Sequence, residues 1–401
     1  MEKAGFFPLY VNELNNDALE TYLVNREKFF PHLRSKYHSN DIKDVISDKS
    51  FFNNLFKNLK NDFNRDFKKN SIDLITGGPP CQGFSGMGIR RSYSVEKKQL
   101  PSNHLYQDMA FFIHHIRPKI FLFENVEGLI RSKWTKSGEK GEIFKDVLTT
   151  FRNIPNYNVK YKLIYAKDYG VPQNRPRILI VGIRKDFSNN FLDDDALLAE
   201  YLPFPSSDYP DIEEIFSDII DDDFVYGEST NLYKNDPLNK WQEDIRYNPF
   251  TKQVLKKNDP LTDHQYSRHS SKVVEKFTYM IKNNGEIPEH LKTKKFSQRV
   301  LPKKWGNKGP TITACSLPDD FVHYSQPRSL TVREWARLQT FPDWYEFRGK
   351  RTTGGIRRAG NPRKSIFDRE VPKSTQIGNA VPVKLAFEIG KHFIKILKNY
   401  S

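Results

Sequence analysis

Cysteine is almost absent from this chain: Cys81 and Cys315 are the only two in 401 residues. So few exclude a disulfide framework and a cysteine-built zinc site, and no metal is expected. They point to a reducing, intracellular setting. Long apolar runs are missing too. No stretch approaches the ~20 residues of a membrane span, and the N-terminus lacks a secretory signal pattern. Acidic residues are in deficit: 49 face 64 lysines and arginines, for a formal net charge of +15. A polyanionic partner fits that excess, and so does a merely solvated basic surface. The length allows one large domain and a smaller one, each with its own core.

What is present is organised around Gly77-Gly78-Pro79-Pro80-Cys81-Gln82-Gly83-Phe84-Ser85. The apolar run Ile72–Ile75, with Thr76, reads as a short buried strand that two glycines and two prolines end abruptly. A Pro-Pro pair holds the backbone extended and offers no N–H, so Cys81 is presented rigidly. Rigid presentation of a thiol suits a nucleophile. The alternative is an inert cysteine in a turn.

Upstream, Phe6–Val11 reads as a strand that ends at Asn12-Glu13, before a helical stretch, Asn16–Asn25. An acidic residue closing such a strand binds ribose hydroxyls in dinucleotide-type folds, or is simply solvated. Residues 27–70 are polar and helical, with Asp41-Ile42 at a strand-to-loop junction. A basic stretch over 87–102 reads as a mobile surface loop. Helical spacing returns over Leu105–Ile116. The apolar strand Lys119–Phe123 then delivers Glu124-Asn125-Val126 at its end, where α/β sheets bind ligands. A helix over Ile143–Phe151 and an extended segment at 160–165 lead to Gln173-Asn174-Arg175-Pro176-Arg177 and the buried strand Ile178–Ile183. Helices alternating with continuous apolar strands predict a mostly parallel sheet.

After Arg184 the chain turns acidic, and from Lys272 basic, with Phe296 and Trp305 among the lysines. That mixture fits a DNA-facing module or a solvated face. Pro310–Ala314 reads as a short strand. In the stretch 328–342, Thr331 and Glu334 form a capping box, and Leu330 and Trp335 a hydrophobic staple. Gln376–Pro382 opens a closing amphipathic helix through Ile396.

Five motifs then stand in order: P-P-C-Q-G-F-S at 79–85, E-N-V at 124–126, Q-N-R-P-R at 173–177, R-S-L-T-V-R-E-W-A-R-L-Q-T-F-P at 328–342 and G-N-A-V-P at 378–382. The set resembles the DNA (cytosine-5)-methyltransferases of the bacterial restriction–modification type, over nearly the whole chain outside 187–309. The resemblance implies an α/β fold: a Rossmann-like sheet that binds S-adenosyl-L-methionine, with a smaller target-recognition domain. Residues 1–186 plus 375–401 would form the catalytic domain, and 187–374 the recognition domain, including the 328–342 helix. It implies double-stranded DNA as substrate, a cognate restriction endonuclease as partner, and a cytosine flipped out of the duplex.

The implied chemistry explains the residue types. Carbon 5 of cytosine is a poor nucleophile until a thiolate adds at carbon 6. Cys81 would be that nucleophile. Glu124 would grip ring nitrogen 3 and the exocyclic amine, Arg177 would orient Glu124 and the base, and Arg175 would support the pocket. Carried over for the cofactor are Glu13 to the ribose, Asp41 and Ile42 to the adenine, Pro80 and Leu105 to the walls, and Asn379 near the methionine moiety. For Asp41, Ile42 and Leu105, ordinary packing stands as the alternative.

Two departures stand out. The F-x-G-x-G-G turn of the family is absent, and Glu13 lies only twelve residues from Met1. Met1 therefore reads as an internal methionine: a start placed late, a first piece supplied by a second chain, or a decayed gene. Losing the first strand would expose apolar faces and a cofactor wall. Ser102-Asn103-His104 also replaces a position where the family often carries arginine. The alternative function is a non-catalytic DNA-binding fragment or subunit. A tRNA methyltransferase of the same fold fits less well, given the long 187–327 stretch.

Overall fold

The computed structural model describes residues 1–80, 96–186, 201–206, 209–292, 298–304, 311–312, 320–353, 357 and 370–399. Cys81, most of the basic loop after it, Phe296, Trp305 and most of the 310–314 segment lie outside these residues.

The central sheet has four strands: β3 (Leu74–Gly77), β4 (Ile120–Val126), β6 (Pro176–Arg184) and β5 (Tyr157–Tyr165), in the spatial order β3-β4-β6-β5. β3 and β4 are parallel, whereas β6 runs antiparallel to both β4 and β5. The expectation of a mostly parallel sheet is therefore corrected. Parallel neighbours need a long crossover, usually a helix. β5 and β6 are joined only by residues 166–175, which close a hairpin.

β4 and β6 are apolar along their length because both faces of the sheet are covered. Phe121, Phe123, Ile178 and Ile180 point to one cluster, which includes residues of α5 (Leu105–Ile116) and α6 (Glu142–Arg152). Ile120, Leu122, Leu179, Val181 and Ile183 point to the other, with Leu385, Ile389 and Phe393 of the closing helix Val383–Asn399. Successive residues of a strand face opposite ways, so a strand covered on both sides needs no polar alternation. Gly182 sits opposite Phe121, whose ring would lie 2.0 Å from an added Cβ. Only glycine leaves room for that ring.

A separate pair, β1 (Val11–Asn12) and β2 (His38–Ser39), is parallel and hydrogen-bonds to no other strand among the described residues. The expected strand over Phe6–Val11 is thus reduced to its last residue plus Asn12. Pairing with β2 reaches no further back, and residues 6–10 have no ladder to join. Helices α1 (Asn16–Val24), α2 (Pro31–Ser35), α3 (Ile42–Ser47) and α4 (Phe51–Phe63) surround the pair. Asn15 caps α1, its side chain accepting from the Ala18 N–H at 3.0 Å.

A further core gathers Ile212, Phe216, Tyr233, Phe321, Trp335 and Ile377, among others. The helix Val332–Leu338 crosses it. Thr331 accepts from the Glu334 N–H at 3.2 Å while Glu334 Oε2 accepts from the Thr331 N–H at 2.8 Å, completing the expected capping box. Leu330 and Trp335 are both buried in this cluster. Among the described residues no helix is long and apolar enough to cross a membrane.

Candidate active site

β3 ends at Gly77, and Gly78-Pro79-Pro80 leads out of it. The buried Asn125 side chain donates to the Pro79 carbonyl at 3.3 Å, pinning the proline turn to β4. A Cβ on Gly78 would lie 3.1 Å from Glu124 Oε2. The carboxylate therefore rests directly against the turn that precedes Cys81, which itself lies outside the described residues.

Glu124 belongs to β4 and does not follow it, because the ladder with β6 continues to the Val126–Arg177 pair. Glu124 and Arg177 are diagonal neighbours on one face. Arg177 Nε meets Glu124 Oε1 at 2.5 Å, with side chains only 10% and 14% exposed. A charge-assisted bond so nearly buried holds both groups in one orientation. Arg177 Nη1 also donates to the Pro176 carbonyl at 2.7 Å.

Arg175 has different partners. Its fully buried guanidinium donates to the carbonyls of Ile312 at 2.5 Å, Gly378 at 2.7 Å and Ala380 at 3.1 Å. It fastens the hairpin turn to the chain around 312 and 378–380.

Two glutamines, Gln173 and Gln339, lie inside the quoted motifs but carried no expected role. Gln173 Nε2 donates to the Leu338 carbonyl at 2.8 Å and to Gln339 Oε1 at 2.7 Å. Gln339 Nε2 donates to the Ile377 carbonyl at 2.8 Å. Both side chains are fully buried, and a buried amide persists only when its polar atoms are paired. Gln173 sits in the loop before β6 and Gln339 at the C-terminal cap of the Val332–Leu338 helix, and residue type alone sets neither apart in the sequence.

Glu13, Asp41, Ile42, Pro80, Leu105 and Asn379 all line one open cavity of 2410 Å³, together with Glu124, Arg175 and Arg177. Glu13 Oε1 accepts from the Asn15 N–H at 2.9 Å, and burial pushes its carboxyl above the usual range. Asp41 caps α3, accepting from the Lys43 N–H at 2.8 Å. Ile42 and Leu105 are the first residues of α3 and α5. No cluster of three or more histidine, cysteine or acidic residues is arranged to hold a metal ion among the described residues.

The C-5 cytosine-specific DNA methylase family matches residues 1–395. The chain belongs to that family. This methylase is 33% identical over 346 residues to the Type II methyltransferase M.DdeI of Desulfomicrobium norvegicum, covering 82% of this chain and 74% of the relative. It is 27% identical to the Type II methyltransferase M1.HphI of Haemophilus parahaemolyticus, covering 99% and 83%. A solved structure described as a DNA modification methyltransferase encoded within an E. coli prophage aligns with a TM-score of 0.65 at 22% identity, over 99% of this chain and 94% of that one. That likeness confirms a Rossmann-like α/β fold.

The methylase is a DNA (cytosine-5-)-methyltransferase, and S-adenosyl-L-methionine is its methyl donor. The cavity suits that molecule. Two carboxylates can accept from hydroxyl and amine groups, while Ile42, Pro80 and Leu105 offer apolar walls to a flat ring.

Proposed function

We propose that the methylase modifies carbon 5 of a flipped-out cytosine in a specific duplex sequence, through a transient covalent bond between the Cys81 sulfur and carbon 6. The observation that carries this reading is the Glu124–Arg177 pair, set 2.5 Å apart against the proline turn before Cys81. Bound S-adenosyl-L-methionine supplies an electrophilic methyl group. The chain's own residues do the rest. Glu124 holds ring nitrogen 3 and the exocyclic amine, so that negative charge entering the ring with the thiolate is neutralised by a proton at nitrogen 3. Arg177 fixes the carboxylate, and Arg175 fixes the turn that leads into the strand of Arg177. Once the methyl is in place, the carbon-5 proton passes to a water molecule, the carbon–sulfur bond breaks to return the thiolate, and nitrogen 3 gives its proton back to Glu124.

Glu13 receives the ribose hydroxyls, Asp41 and Ile42 the adenine, Pro80 and Leu105 form walls, and Asn379 lies at the methionine end. Residues 1–186 plus 375–401 serve catalysis, and 187–374 read the DNA. The relatives are Type II methyltransferases, which supports an intracellular restriction–modification role with a cognate endonuclease.

The test is methyl transfer from isotope-labelled donor to duplex DNA, to tRNA and to a duplex with 5-fluorocytosine in the target site. Transfer to ordinary duplex and a denaturant-stable adduct with the fluorinated one support the proposal. Transfer to tRNA alone would refute it. A second reading, a DNA-binding chain that needs another polypeptide, is favoured by the separation of β1–β2 from the central sheet.

A further inference from the structure

Thr340 follows the Val332–Leu338 helix with a backbone φ of 58°. A β-branched residue rarely adopts that left-handed region, and such strain persists only where the surroundings impose it. Here the start of the closing helix imposes it. The Thr340 hydroxyl oxygen accepts from the Lys384 N–H at 2.8 Å, and the Gln339 carbonyl accepts from the Val383 N–H at 3.1 Å. Both are N–H groups that the first turn of a helix leaves without helical partners.

The Gln339 side chain reaches the other end of the same segment. Its Nε2 donates to the Ile377 carbonyl at 2.8 Å and to the Ala380 carbonyl at 3.3 Å, at the close of the helix Lys373–Asn379. Residues 377–384 are thus held at both ends from one corner. Asn379 lies between the anchors, exposed and lining the cavity. The amide has one usable orientation. Gln339 Oε1 accepts from Gln173 Nε2 at 2.7 Å, and Gln173 Oε1 accepts from the Ile312 N–H at 3.3 Å. Turning the Gln339 amide over would set amine against amine and oxygen against two carbonyls. Glu124 and Arg177, by contrast, bond to each other directly, without Gln339.

We infer that Gln339 is a positioning residue for methyl transfer: through the 377–380 turn it sets Asn379, and with it the methyl donor, against the cytosine. The inference rests on the proposed place of Asn379 at the methionine end and deepens that reading. Methyl transfer needs the donor carbon in line with carbon 5 of the base, and a misplacement of about 1 Å can cost about 10²-fold in rate. The base is held by its own pair of side chains, so loss of the Gln339 amide should disturb the donor and spare the base.

Two reactions of the full chain separate these effects. The first is methyl transfer from labelled S-adenosyl-L-methionine to duplex DNA. The second uses no donor and a duplex tritiated at cytosine carbon 5. There the Cys81 thiolate adds at carbon 6 and carbon 5 takes a proton from water; tritium then leaves to water and the thiolate departs, restoring cytosine. Gln339→Met, unbranched and without a donor, should lower transfer about 10²-fold and leave tritium release near the wild-type rate. Gln339→Glu, kept neutral by burial, can still accept from Gln173 and donate to Ile377. Its ratio of transfer to release should match wild type at low pH and fall as rising pH ionises the carboxyl. Equal loss of both reactions in Gln339→Met would reduce Gln339 to a structural role and overturn the inference, as would undiminished transfer. If that variant does not fold, Gln339→Glu decides, and a ratio level across pH overturns the inference. A wild-type chain inert in both reactions would refute the proposed function and this inference with it; an active wild type whose variants show no split overturns this inference alone.

Discussion

Arg177 and Glu124 face each other diagonally across β4 and β6, Nε to Oε1 at 2.5 Å, and neither side chain is more than 14% exposed. Arg177→Leu leaves the carboxylate in place without its clamp. The kcat for methyl transfer to duplex DNA should fall by about 10²–10³-fold, with a smaller change in DNA affinity. Glu124→Gln keeps the shape but weakens the hold on ring nitrogen 3, and a loss of about 10²–10⁴-fold is expected. Arg177→Leu with undiminished kcat would remove the pair from the mechanism.

Cys81→Ser should abolish methyl transfer while DNA binding, measured by fluorescence anisotropy, is retained. A hydroxyl is far less ionised than a thiol at neutral pH and cannot substitute as the attacking group. Normal methylation by this variant would end the covalent reading.

Gly78→Ala tests the geometry from the other side. The added methyl would lie 3.1 Å from Glu124 Oε2, and the carboxylate must give way by a few tenths of an ångström. Activity should drop while the melting temperature stays close to wild type, because Gly78 is exposed.

Glu13→Gln should weaken S-adenosyl-L-methionine binding by about tenfold in calorimetry, as one charge-assisted bond becomes a neutral one. Burial raises the Glu13 carboxyl, so the wild-type site should lose affinity as pH falls, from a higher pH than an exposed glutamate would show. The variant should lack that dependence.

The network under the Val332–Leu338 helix predicts acid sensitivity. Arg328 grips Glu334 with two bonds, at 2.7 and 2.9 Å, and both side chains are fully buried. Burial opposes ionisation of Glu334, but Arg328 outweighs it and holds the carboxyl below its ordinary range. Nearby, burial pulls His264 down to about 4 and His323 down to about 3. Both histidines stay neutral when folded, whereas the unfolded chain protonates them below pH ~6.5. Stability should therefore fall as pH drops from ~6.5, by up to about 1.4 kcal/mol per pH unit for each histidine. Below ~4.5 the Glu334 contribution is lost as well. Urea denaturation at pH 7, 5.5 and 4.5 measures the slope, and the double variant His264→Gln, His323→Gln should flatten it. Arg328→Met, which strands the buried carboxylate, should cost about 3–5 kcal/mol at pH 7.

Local signals were legible in the sequence. The helix at Leu105–Ile116 has the bounds its periodicity predicts, and the Thr331–Glu334 box forms as its spacing requires. The six cofactor candidates, drawn from scattered stretches, line one cavity. Long-range pairing was not legible. Apolar strands look alike whether parallel or antiparallel, so the direction of β6 and the inclusion of Glu124 in the ladder came only from its partner's register. Arg175 donates to backbone carbonyls, which every residue carries and no motif can announce.

The Arg175 fastening also sets a clock. Its carbonyl partners lie 137 and 203 residues further along the chain, and Gln173 reaches 165 residues to Leu338. Contacts so distant form late, since much chain must be ordered before they close. During synthesis β4 and β6 can pair long before the chain around 378 leaves the ribosome, but the turn leading into Arg177 cannot yet be locked. A nascent methylase therefore carries its acid–arginine pair in a loose frame until the chain around 378–380 docks.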